Sequence, residues 1–70
     1  MEKAEYKKQI GRNIKSMRIR KDLTQEELAN KADVTVKTIK NWEKGSGIDP
    51  YDIHVLAKIF KCNIDDFYLI

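Results

Sequence analysis

Four side chains in the stretch "TVKTIKNWEKG" (residues 35–45) can attract an anion or engage a hydrogen-bonding edge: Lys37, Lys40, Asn41 and Lys44. On a helix of about 3.6 residues per turn they lie on one side, and Ile39 and Trp42 point to the other. Ammonium groups attract negative charge with little directional preference, whereas a carboxamide offers donors and an acceptor in fixed geometry. An apolar face beneath them implies that the polar face is seated by packing. Trp42 could instead stack on bases from an exposed position, but it shares the face of Ile39, which favours a core role.

Elsewhere the chain offers little for bond-breaking chemistry. Its one cysteine, Cys62, and its one histidine, His54, lie eight residues apart, too few ligands for a zinc site. No base pairs convincingly with Cys62, Ser16 or Ser46 as a nucleophile. Asp65 and Asp66 stand at the start of a short predicted helix, where carboxylates suit the helix dipole without any catalytic role. We therefore expect no enzyme, no metal and no cofactor.

The elements that must position the "TVKTIKNW" side chains are legible as five short helices, with no sustained β-alternation. The first runs from about residue 4 to residue 20, with Ile10, Ile14 and Met17 as its core stripe. Leu23 plugs the turn that follows. "TQEE" is a capping box in which Thr24 and Glu27 satisfy each other's backbone N–H, and Leu28, Ala29 and Ala32 form the inner face of the second helix. Asp33 occupies a tight turn that calls for a left-handed residue. Thr35 caps the third helix and Gly45 terminates it after Lys44. Asp49 and Pro50 open a fourth helix, which carries Ile53, Leu56, Ala57 and Phe60 inward. Asn63 caps a fifth, anchored by Ile64 and Phe67.

Seventy residues make one domain, taken as residues 1–70, and leave room for one small core. No apolar run approaches the roughly 20 residues of a membrane span, and "MEKAEYKKQI" holds no apolar signal segment. With a single cysteine, the expected compartment is the reducing cytoplasm. The net charge of +3 is unevenly placed: residues 1–21 hold eight Lys or Arg against two Glu, a net +6. Localised positive charge on an otherwise balanced chain suits a polyanionic partner, although solvated Lys-rich faces are also common.

Two helices joined by a turn of about three residues, the second with a basic, amide-bearing outer face, make a helix-turn-helix, here residues 24–44. The major groove of B-DNA, about 12 Å wide, admits one helix whose side chains can read base edges. The expected partner is therefore double-stranded DNA.

The stretch "IGRNIKSMRIRKDLTQEELANKADVTVKTIKNWEKGSGIDPYDIHVLAKIFKCNIDDF", about residues 10–67, resembles the lambda-repressor-like helix-turn-helix domain of the Cro or XRE type. Its most specific parts are "LTQEELA", "TIKNWEKG" and "LAKIF" followed by "NIDDF". The resemblance implies an all-α, compact five-helix bundle that binds DNA, in most such proteins as a dimeric transcriptional repressor of prokaryotic or phage type. It also implies that Gln25 contacts a DNA phosphate, and that Thr35, Val36 and Lys37 open the recognition helix, with Lys40 and Asn41 on its second turn. Lys37 and Asn41 are the expected base readers, Lys toward guanine and Asn toward adenine, and Val36 can meet a thymine methyl. Thr38, Lys40 and Lys44 are expected to position the helix on the backbone. Two departures stand out: Asp33 replaces the usual turn glycine, and Val36 stands where many members carry a polar reader.

Arg18 lies four residues after Ile14, and Glu43 four after Ile39, so both sit at the margin of a core stripe where an unpaired charge is costly. They are expected to meet, and the resemblance implies the same pair. The tail "FYLI" is unusually apolar. Tyr68, Leu69 and Ile70 either make a two-fold dimer contact or mark a chain cut from a longer protein. A homodimer implies a pseudo-palindromic operator. The reading from a different class is a protein-interaction module on the same fold, such as an antitoxin or adaptor.

Overall fold

A computed structural model describes residues 2–69. It contains α1 (Lys3–Arg20), α2 (Gln25–Ala32), α3 (Val36–Glu43) and α4 (Pro50–Phe60), followed by a 3₁₀ helix (Ile64–Tyr68). The all-α expectation holds, but the expected fifth α-helix is this 3₁₀ helix. The segment is five residues long. Asp66 N donates to Asn63 O at 3.1 Å, the i→i+3 bond of a tighter coil. Its buried residue, Phe67, packs 6.3 Å from Phe60 between ring centroids. A buried Phe67 and a partly buried Ile64 leave little for a longer amphipathic face to bury.

Helices α2, α3 and α4 each start where a side chain takes up free backbone N–H groups. Thr24 Oγ1 accepts from Glu27 N at 3.0 Å, and Thr24 N donates to Glu27 Oε1 at 2.8 Å, closing the capping box. The bond from the Thr24 backbone N–H holds the Glu27 carboxyl below its usual range. The resulting stabilisation is present above the ordinary carboxylate pKa and disappears as pH falls through the lowered value. Asp49 and Asp52 make a second box at α4, with bonds of 3.1 and 3.0 Å. Asp33 does adopt the left-handed conformation, with φ 58°, and so do Asp22 and Lys61 at the ends of α1 and α4.

One apolar cluster joins the helices. Ile10, Ile14 and Met17 of α1 meet Leu28 and Ala29 of α2, Ile39 and Trp42 of α3, and the inner face of α4, with Phe67 closing the end. Leu23, Val34 and Val36 pack on its margin, and so does Cys62, whose thiol is raised above its ordinary pKa by burial. The α3 helix rests on α1 and α2, so both flank the surface it presents. Among the described residues, no helix is long and apolar enough to cross a membrane.

Candidate nucleic-acid interface

The α3 helix is only eight residues long, so its direction depends on how its ends are fixed. At the start, Thr35 Oγ1 accepts from Thr38 N at 3.2 Å, and the two hydroxyls lie 2.9 Å apart. At the finish, Lys44 N bonds to Lys40 O and Asn41 O, and Gly45 turns the chain away at φ 87°. Between these ends, Ile39 is fully buried and Trp42 is 3% exposed. Lys37, Lys40 and Asn41 face solvent, as do Thr35 and Lys44, while Val36 and Thr38 are half-buried. The expected division into a seated face and a free face is therefore present along the whole helix.

A polar cluster seats α3 sideways. Arg18 Nε donates to Glu43 Oε2 at 2.6 Å, and Arg18 Nη1 donates to Leu23 O at 2.8 Å. Glu43 Oε1 also accepts from Gln25 Nε2 at 3.1 Å. The side chains of Arg18 and Glu43 are 12% and 6% exposed, so water screens the pair weakly. One carboxylate thus ties the last turn of α1, the first turn of α2 and the end of α3.

Two glycines set how closely α1 approaches the end of α3. A Cβ at Gly11 would lie 2.6 Å from Gly45 N and 2.7 Å from the carbonyl oxygens of Trp42 and Glu43. A Cβ at Gly45 would lie 2.5 Å from Lys7 O, and its positive φ already disfavours a side chain. Backbone meets backbone here, and any side chain would force α3 outward.

The family model described as "Helix-turn-helix" matches residues 14–67 of this 70-residue chain. The chain belongs to the helix-turn-helix family. More narrowly, the match is to the Cro/C1-type helix-turn-helix, a family of DNA-binding regulators. A curated relative from Acinetobacter baylyi, the "Competence pilus inhibition repressor", is 34% identical over 62 residues. That alignment takes in 87% of this chain and 56% of the relative, so the chain spans little more than half of that protein. In helix-turn-helix terms α2 is the first helix of the motif and α3 the second.

The structure gathers most of the residues singled out in the sequence. Thr35, Val36, Lys37, Thr38, Lys40, Asn41 and Lys44 all belong to α3 and its caps, and Gln25 stands at the first position of α2. Arg18 and Glu43 meet. Tyr68 and Leu69 lie elsewhere: Tyr68 stacks on Tyr6 of α1 with centroids 6.2 Å apart, and Leu69 is 63% exposed. Ile70 lies outside the described residues. His54 is exposed, and among the described residues no cluster of His, Cys, Asp and Glu is arranged to hold a metal.

Sequence reasoning missed Gly11 and Lys15. Gly11 lies three residues before Ile14 and four before Lys15, and it was the single glycine inside a predicted helix. An isolated helix glycine costs about 1 kcal/mol relative to Ala, which makes a packing reason the natural inference. Lys15 counted only toward the overall charge of α1. In the fold it lines a depression together with Gln25, Lys40, Glu43 and Lys44.

Proposed function

We propose that this protein binds double-stranded DNA sequence-specifically and represses transcription by occupying an operator in the cytoplasm. Residues 1–70 act as one DNA-binding domain in this reading. Lys37 and Asn41 read base edges in the major groove, and Val36 offers what remains exposed of its side chain to a thymine methyl. Thr35, Thr38, Lys40, Lys44 and Gln25 hold the phosphate backbone. The observation that carries the reading is the outer face of α3, where Lys37, Lys40 and Asn41 are exposed above a buried Ile39 and Trp42. A helix that must report a base edge to within a hydrogen bond's tolerance has to be seated in this way.

Repression is the output supported by the relative, whose name is that of a repressor. A homodimer on a pseudo-palindromic operator fits the exposed Leu69 and the flanking Tyr68, and would set recognition helices about 34 Å apart. Selection of bound duplexes from a random pool tests the proposal directly. The expected result is a symmetric motif bound with affinity that falls steeply with salt. Lys37→Ala and Asn41→Ala should each relax preference at one base pair by about 1–3 kcal/mol. Gln25→Ala should weaken all sequences about equally. A flat salt response, or no duplex affinity beside tight binding of another protein, would turn the reading to the adaptor class.

A further inference from the structure

Two depressions flank Gln25. One is lined by Lys15, Gln25, Lys40, Glu43 and Lys44, and the other by Thr24, Gln25, Glu26, Val36 and Lys40. They share Gln25 and Lys40 and differ in charge. The second has the exposed carboxylate of Glu26. The first has Glu43, but Arg18 neutralises that carboxylate at 2.6 Å beneath the surface. What the first depression presents to solvent is three ammonium groups and one amide.

We propose that this lysine-lined depression is a phosphate-binding cleft, and that Lys15 makes α1 a third element of the DNA contact. The proposal rests on the DNA-binding reading above and deepens it. Gln25 carries two amide protons on Nε2, and the bond to Glu43 uses one of them. That bond aims the amide and leaves its second proton for an anionic oxygen. Lys40 and Lys44 reach the cleft from α3, and Lys15 closes it from α1.

The reach of Lys15 follows from the glycine crossing. Gly11, Lys15 and Arg18 lie four and three residues apart, so they share one side of α1. Gly11 touches the backbone at the end of α3, and Arg18 binds Glu43. Lys15 stands between those two fixed points and is carried to the rim of α3 with them. Long-range attraction alone needs no such placement, whereas a phosphate held between two helices does.

The test compares the salt dependence of DNA binding for the full chain and its variants, using a fluorescent duplex selected from a random pool and an unselected duplex. Each neutralised phosphate contributes a log–log slope of about −0.9. Lys15→Gln should make the slope shallower by about that amount, so that between about 50 and 200 mM salt the wild type loses about 3.5-fold more affinity than the variant. The ratio of selected to unselected affinity should stay the same, and Lys15→Arg should keep the wild-type slope. Lys61→Gln removes the same charge at a separate depression, which it shares with Cys62 and Phe60, and should leave the slope near wild type. Equal slopes for Lys15→Gln and wild type overturn the cleft while leaving DNA binding in place. Equal losses for Lys15→Gln and Lys61→Gln overturn it as well, because net charge alone would then account for the effect. A wild-type slope near zero overturns the DNA-binding reading itself.

Discussion

Helix α3 and the terminal 3₁₀ helix both rest on α1, and they are held in different ways. Helix α3 is fixed by apolar side chains underneath, an ion pair at its side and a backbone-to-backbone approach at its end. The 3₁₀ helix has one fully buried side chain, Phe67, with Ile64 at the core margin and Tyr68 stacked on Tyr6, and its main chain is tied down as well: Asn13 Nδ2 donates to Phe67 O at 2.9 Å and to Leu69 O at 2.6 Å. Bonds to carbonyls fix a path while leaving the outward side chains unspecified. That suits a segment whose Tyr68 and Leu69 remain exposed. A helix that must hold named side chains against another molecule needs its rotation and tilt fixed, and the three restraints on α3 together fix them.

The sharpest way to break this comparison is at the ion pair. Glu43→Ala would leave Arg18 largely buried with no carboxylate, at a cost of about 3–5 kcal/mol, and should lower the thermal midpoint and DNA affinity together. Arg18→Glu should be worse, and adding Glu43→Arg should recover part of the loss. If both single variants melt like wild type, the pair does not seat the helix. A smaller effect is expected from Gly11→Ala. Alanine favours the helix by about 1 kcal/mol, but its Cβ meets three backbone atoms that cannot step aside, so we expect a net loss of about 1–2 kcal/mol. A stabilised Gly11→Ala variant would show that the crossing is loose. The smallest effect belongs to the other region. Asn13→Ala should cost about 1 kcal/mol and show as faster amide exchange confined to residues 64–69, with DNA discrimination unchanged. Exchange spreading into α3 would mean that the two regions are not separately held.

Much of this arrangement was legible along the chain. The Thr24–Glu27 box, the left-handed Asp33, the Thr35 cap, the Gly45 stop and the Asp49–Pro50 start all depend on residues within a turn of one another. The face of α3 followed from the alternation of Ile39 and Trp42 with Lys37, Lys40 and Asn41. The meeting of Arg18 and Glu43 could be anticipated because an unpaired charge at the edge of an apolar stripe is costly, and because the resemblance implied the same pair. The type of the last helix could not be anticipated, since caps and anchors at Asn63, Ile64 and Phe67 suit an α-helix and a 3₁₀ helix alike. Nothing local marked Asn13 as the residue that binds the tail.

By itself, the sequence determined where the helices begin and end, which side of each is apolar, and which polar groups the third one offers outward. These depend on backbone hydrogen bonding and side-chain periodicity, which act over three or four residues. Tertiary structure decided that Gly11 lies against Gly45, that Gln25 shares a carboxylate with Arg18, and that Lys15 stands beside Lys40 and Lys44. Those meetings depend on how closely two helices approach and at what angle. That distance and angle are set by the packing of the whole core, and no short stretch of the chain contains them.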